Sequence, residues 1–414
     1  MTKVNKWTLG LAAVGLVSLP AVVQAEEKPN QLLTALSSTT LSGYVSTSIH
    51  WNPGTGNANP AAVAFNTPSK QDGFNLNVVN VVLEKPLDES TWSAGYKVDL
   101  IYGPDAVGWN NSVGAANSDI GIKQAYVALR APIGNGLDIK LGTWDTIIGY
   151  EVFNAGSNPN YTRSWGYTME PTQHTGLLAS YQLNKVVGIS GGIANTWVSG
   201  INVRNTTESQ KTWMGAITLT APDSLGFLAG SALYLGVVDG YNNLAGNDVT
   251  SFYAGATLAT PIKGVKAGFA FDYAEADNNG AGFVRSASAY AAALYLSASA
   301  TEKLSFHVRG KYAKINSAYA TGGAFNSGPG SIGGIPKEVF TITGTIQYDL
   351  WANVLSRLEV RWDHALDGRP FGGNTSGAAL SSGGGTTTTA ATRIGGSANE
   401  NDAVLVAANL IYKF

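Results

Sequence analysis

The chain has no cysteine in 414 residues, so disulfides and thiolate metal sites are excluded. Charged residues make up only 13% of it, about half the share of an ordinary soluble protein. Its four histidines, at 50, 174, 307 and 364, show no metal-ligand spacing. Beyond the N-terminus no apolar run is long enough to cross a bilayer as a helix. No linker, helical periodicity or composition shift divides the chain into domains. The net charge of −2 argues against a nucleic-acid partner. Glycine, by contrast, is abundant at 50 residues, which suits many turns and loops.

The two ends of the chain are the most specific parts of it. Lys3 and Lys6 precede an uncharged apolar run, Trp7 to Val23, and Val23-Gln24-Ala25 places small residues where a signal peptidase cuts. Residues 1–25 are therefore expected to be a cleaved signal peptide, and 26–40 a short periplasmic segment. Loss of Lys3 and Lys6 takes the net charge from −2 to −4. At the other end, Val406, Ala408, Leu410, Tyr412 and Phe414 share one face of a strand, with Asn409 and Lys413 on the other. A barrel must end in such a strand, because its last strand pairs with its first. Phe414, Tyr412 and Leu410 are read as a barrel-assembly signal.

Between the ends lie sixteen strand candidates, most of them about ten residues long, the length a tilted strand needs to cross a bilayer. They fall at 41–51, 74–84, 92–101, 120–130, 137–152, 173–183, 186–198, 211–220, 227–238, 250–260, 265–273, 287–299, 304–313, 340–350, 357–363 and 403–414. The segment 137–152 is counted as one long strand. In 74–84 the run Val78-Val79-Asn80-Val81-Val82 breaks the alternation, which calls for a bulge. Connections alternate without exception between short turns and long Gly/Asn/Ser-rich loops. Trp51, Trp92, Tyr273, Trp362 and Tyr412 stand near the ends of apolar faces, as in an interfacial aromatic girdle. The expectation is an all-β, antiparallel up-and-down transmembrane barrel over 41–414, with short periplasmic turns and long external loops.

Sixteen strands enclose an aqueous lumen. Lys97, Asp99, Asp138, Lys140, Arg309, Lys311, Arg357, Glu359, Arg361 and Asp363 fall on its polar side and are expected to line the pore. Arg357, Glu359, Arg361 and Asp363 recur at every second residue of one strand, so one wall carries four charges. The third long loop, 153–172, holds Tyr161, Arg163, Trp165, Tyr167 and Glu170. A dense amphipathic loop needs a surface to pack on, and the lumen wall is nearest. It is expected to fold inward and narrow the pore, with a short helix within Tyr161 to Met169 and with Arg163 and Glu170 near the constriction. The Ala-rich face of 287–299 is either a packing surface within the membrane or a lipid-facing one.

Leu41-Ser42-Gly43-Tyr44, Gly149-Tyr150-Glu151, Asn158-Pro159-Asn160-Tyr161 with Arg163-Ser164, and Pro171 with His174-Thr175-Gly176 resemble the beta-barrel porin-2, OmpL-like family. The resemblance implies a porin of a Gram-negative outer membrane, with no catalytic residue and no defined substrate. Two weaker patterns are set aside. Gly188-Ile189-Ser190-Gly191-Gly192 lies in an apolar strand, not the strand-turn-helix of a nucleophile elbow. Gly328-Pro329-Gly330-Ser331-Ile332-Gly333 has no helix after it.

The expected function is passive diffusion of small hydrophilic solutes or ions, with selectivity set by lumen charges and the constriction loop. Expected partners are outer-membrane lipid and lipopolysaccharide, the barrel-assembly machinery and, as an open alternative, two further copies in a homotrimer. No cofactor or metal is expected. Competing readings are a non-conducting adhesin or structural barrel working through its external loops, and a barrel hydrolase built on Ser190 or His174.

Overall fold

The computed structural model describes residues 38–54, 56–88, 92–106, 119–198, 200–201, 203–205, 210–242, 247–277, 287–316, 336–373 and 398–414. The expected signal peptide, nearly all of 26–40, the tract 374–397 and the Gly328–Gly333 pattern lie outside them.

The strands are β1 (Thr40–Trp51), β2 (Gly73–Lys85), β3 (Ser93–Tyr102), β4 (Ile120–Ala131), β5 (Leu137–Asp145), β6 (Gln173–Gln182), β7 (Val187–Ala194) and β8 (Thr212–Thr220). They continue as β9 (Ala232–Asn242), β10 (Asn247–Ala259), β11 (Val265–Ala276), β12 (Ala287–Ser299), β13 (Leu304–Asn316), β14 (Glu338–Trp351), β15 (Val354–Ala365) and β16 (Asp402–Lys413). Each pairs antiparallel with its sequence neighbours, and β1 pairs with β16, giving a closed sixteen-strand barrel. Closure leaves no edge, which the hydrocarbon of a bilayer requires. Among the described residues one α-helix, α1 (Trp165–Met169), lies between β5 and β6.

The alternation sorts side chains as the sequence demands. Along β1, Tyr44, Ser46, Ser48 and His50 are buried inside, while Leu41, Ile49 and Trp51 are exposed outside. The outer surface is a belt of apolar side chains, with Phe74, Trp92 and Leu294 well exposed. No helix among the described residues is long and apolar enough to cross a membrane. At the seam, Tyr44 pairs with Lys413, and the Gly43 amide donates to the Phe414 carbonyl at 2.9 Å. A Cβ on Gly43 would lie 2.1 Å from the Asn80 carbonyl and 2.7 Å from the Phe414 ring. Glycine is therefore what lets the terminal ring settle against β1. The register of β1 on β2 shifts at Ser46/Thr47, skipping Asn77, and this bulge accounts for the broken alternation.

Four sequence expectations need correction. The segment 137–152 is not one strand: β5 stops at Asp145. There the Thr146 amide donates to the Thr172 carbonyl and closes the neck of a loop. Ile147 and Ile148 are both buried, which no alternating strand permits, and Gly149 takes φ +113°. Next, the ninth strand starts at Ala232, not 227, because Asp223–Leu228 forms a kinked 3-10 turn with Leu225 and Phe227 exposed. The seventh strand ends at Ala194, and Thr196, Trp197 and Val198 fold inward instead. Finally, Ala287, Ala289, Ala291 and Ala293 of β12 face the lumen and are fully covered, so this alanine face is no lipid or intermolecular surface. Its small side chains admit α1, which packs on β11, β12 and β13.

Candidate pore constriction

The loop between β5 and β6, residues 146–172, carries polar and apolar halves in sequence. Its backbone is organised locally. Asn154 caps a 3-10 turn at Ala155–Ser157 by accepting from the Gly156 amide at 2.9 Å. The Asn158 side chain holds both the amide and the carbonyl of Val152, at 2.8 and 2.7 Å. Ser164 caps α1 by accepting from the Tyr167 amide. Glu170 follows at the helix end, before Pro171 stops further helix.

The four charges of β15 each hold a successive stretch of this loop. Arg357 donates to the carbonyls of Ala155 and Asn158, at 2.7 and 3.2 Å. Glu359 accepts from the Tyr161 amide (2.6 Å), the Thr162 amide (2.9 Å) and hydroxyl (2.6 Å), and the Thr345 hydroxyl (2.7 Å). Arg361 donates to the Arg163 carbonyl at 2.6 Å and pairs with Asp363 at 2.6 and 2.7 Å. Asp363 accepts from the Trp165 indole at 2.9 Å. On β13, Arg309 meets Glu151 at 2.6 Å, the Thr162 carbonyl at 2.7 Å and the Thr343 hydroxyl at 3.0 Å. Lys311 donates to the Ser164 hydroxyl at 2.9 Å and lies 4.0 Å from Asp272. Buried charges persist only when paired and hydrogen-bonded, and here the loop supplies the partners.

The same loop reaches the opposite wall. In a sixteen-strand closed ladder β1 stands across from β9. Tyr161 meets His50 of β1 at 3.0 Å, while Ile148 fills the space left by Gly236 of β9, where a Cβ would come within 2.5 Å. Trp144, Ile147 and Ile148 join one apolar cluster with Leu178, Ala194, Met214 and Val238 of β6 to β9. Tyr150 stacks on Tyr295 of β12 at 4.0 Å, and Lys123 of β4 lies 5.6 Å from the Phe153 ring. The loop thus crosses the lumen and touches wall strands on both sides.

A second loop lies over it. The Ala64 amide donates to the Thr168 hydroxyl, Phe65 packs edge-on against Phe153, and Arg163 lies 5.4 Å from the Phe65 ring. Phe371 and Gly372, just before the undescribed tract, are tied to the same layer through the Asn59–Gly372 bridge.

The predicted residues fall as follows. Tyr161, Arg163, Trp165, Tyr167 and Glu170 all belong to the inward loop and are all buried. Arg163 donates to the carbonyls of Val152, Tyr161 and Phe153. Glu170 lines a small cavity with Asp272, and its carboxyl is held well above the usual range by burial and then by the Asp272 charge. Glu151 differs: burial pushes its carboxyl up, but Arg309, Lys311 and the Ser164 amide outweigh this and bring it below the usual range. Arg309, Lys311, Arg357, Glu359, Arg361 and Asp363 face inward, yet they are covered by the loop instead of bare water. Lys97 pairs with Glu84 at 3.5 Å, and Asp99 with Lys123 at 3.7 Å. Asp138 pairs with Arg130 at 2.8 Å, and Lys140 lies 4.8 Å from the Tyr126 ring. Leu410 and Tyr412 are exposed on the outside, opposite buried Asn409.

Sequence reasoning missed Glu151 and Asp272 as partners, and it missed the second loop. The run Ala61-Ala62-Val63-Ala64-Phe65 inside a Gly/Asn-rich connection was the available signal. Ser190 bonds Ser180, and His174 bonds Thr146. No group of three potential metal ligands occurs among the described residues.

The family model of the beta-barrel porin-2, OmpL-like proteins matches residues 38–401. The chain belongs to that family. It is an outer-membrane porin, and its fold agrees. The outer membrane channel DcaP of Acinetobacter baumannii is 11% identical with a TM-score of 0.54, covering 91% of this chain and 97% of that one. An anion-selective porin from Comamonas acidovorans is 13% identical with a TM-score of 0.53, covering 91% and 99%. OmpF of Salmonella typhi is 12% identical with a TM-score of 0.55, covering 91% and 97%. At these identities the likeness is one of fold. No curated protein matches the porin.

Proposed function

We propose that this porin is a passive diffusion channel for small hydrophilic solutes and ions, with residues 146–172 as its constriction. The observation that carries the proposal is the contact of one loop with β1 and with β9, on opposite sides of the lumen. A loop so placed limits the width of any water path beside it, and rings of charge at such a place govern which ions pass. Arg163 and Glu170 belong to this constriction, and the ten predicted wall charges serve it by holding the loop or by lining the vestibules on either side. No energy source is needed, and the chemistry is sorting by size and charge. A homotrimer is the assembly we favour, since one structural neighbour, OmpT of Vibrio cholerae, has a trimer form. Lipid, lipopolysaccharide and the assembly machinery would contact the outer belt and the terminal strand ending in Phe414.

Planar-bilayer recording tests this reading. Purified protein should give stable conductance steps that fall as larger neutral solutes enter and fill the pore. A protein that inserts and never conducts is not a diffusion channel.

A further inference from the structure

Most cations inside the barrel have an acid beside them. Lys70, Lys97, Lys123, Arg309, Lys311 and Arg361 each lie within 4.0 Å of a carboxylate. Arg163, Arg357 and Lys413 make no such pair among the described residues, and they gather around one turn. Arg163 holds the carbonyls of Val152, Phe153 and Tyr161. Arg357 holds those of Ala155 and Asn158 from the β15 side. Lys413 of β16 lies against Gly156, where an added Cβ would come 3.0 Å from its Cε.

Three positive charges therefore surround residues 152–161, and the two guanidinium groups among them have carbonyl oxygens as their protein partners. The acid between them on β15, Glu359, is occupied by four hydrogen-bond donors. Asp349 accepts from Gln347 and acts on Arg357 and Lys413 only from beyond ion-pair distance. Both guanidinium groups are more than nine-tenths buried, and Arg357 Nε has no protein partner at all. A cavity opens beside the turn, lined by Ala155, Tyr161, Thr162, Arg163 and His50, whose Nδ1 also lacks a partner, and by Asp105, whose charge is taken up by Lys70.

We propose that this cluster is an anion-selecting station, attracting small inorganic and carboxylate anions to the constriction. The proposal rests on the diffusion-channel reading above. Buried charge whose nearest acids all stand beyond ion-pair distance projects a field that water and salt screen poorly, because the surrounding dielectric is low. Lys413, only partly buried, presents charge to the water path, and the two arginines strengthen the potential there. A diffusible anion can come closer to these cations than Glu359, Asp349 and Asp105 do.

The test is the reversal potential of the purified full chain in a planar bilayer under a KCl gradient. Wild type is expected to show the sign set by chloride, more strongly at low salt. Lys413 makes no side-chain hydrogen bond that the fold needs, so Lys413→Gln should assemble normally. It is expected to lower the chloride-to-potassium permeability ratio about fivefold, the Boltzmann factor for one charge acting across about 4 Å of water. Lys413→Glu should lower it further, and Arg163→Gln should shift it in the same direction. A cation-selective wild type, or a ratio unchanged in Lys413→Gln and Lys413→Glu, would overturn the assignment while leaving the channel reading intact. Absence of any conductance would overturn both.

Discussion

The two sides of the lumen grip the same loop by different physics. On β13 to β15 the wall is charged, and nearly every charge meets a backbone or side-chain partner of residues 151–165. On β6 to β9 the wall is apolar, and Leu178, Met214 and Val238 pack with Trp144, Ile147 and Ile148. Directional bonds fix the register of the loop on one side, while non-directional burial supplies adhesion on the other. The polar side therefore determines where the loop lies, and the apolar side keeps it from lifting off. A sixteen-strand barrel need not be lined by polar residues throughout, provided part of its lumen is filled by its own chain.

Substitutions on each side separate the two contributions. The largest effect is expected from Arg309→Ala, which leaves Glu151 buried without its ion partner at a cost of about 3–5 kcal/mol. Single-channel records should show a noisier channel, and the folded barrel should melt earlier in detergent. Leu178→Ala attacks the apolar side, at about 2–5 kcal/mol. It should lower the melting temperature to a similar degree while altering ion selectivity less than Arg309→Ala does. An intermediate effect is expected from Ala291→Leu, which overfills the space beside α1 by about 1–3 kcal/mol. Conductance should change as the helix is pushed from β12; an unchanged record would mean that the alanine row is not its seat.

The smallest effect depends on pH. The Glu170 carboxyl is held above its ordinary value by burial and by Asp272. Its folded form therefore favours the proton, and stability is full below the ordinary glutamate range and declines as pH rises toward the raised value. Lys311 also faces this pair, at 4.0 Å from Asp272, and Glu151 adds like charge. Glu170→Gln should reduce that decline, measured as melting temperature against pH, with no effect in acid. A parallel decline in the variant would assign the pH response to another group.

Much of the barrel was legible because its signals are local. Alternation at β1, β13 and β15 marked strands and their inward faces, and the terminal Phe414 marked the closing strand. The boundaries failed where side chains pack on the chain's own interior. Ile147 and Ile148 look like strand continuation, and they are apolar because they meet β6 to β9, not lipid. The alanines of β12 look equally suited to lipid, to another subunit or to a helix, since small size carries no direction. The charges on β15 were visible as a row. That they are covered by the loop depends on contacts some 200 residues apart in sequence, which no local pattern encodes.

The most direct measurement is the single-channel conductance of a variant in which residues 151–168 are replaced by a short glycine linker. The barrel ladder closes without this loop, so assembly should survive. Conductance several-fold above wild type, with larger solutes admitted, is the expected result. Conductance and solute cut-off equal to wild type would show that the loop does not span the water path.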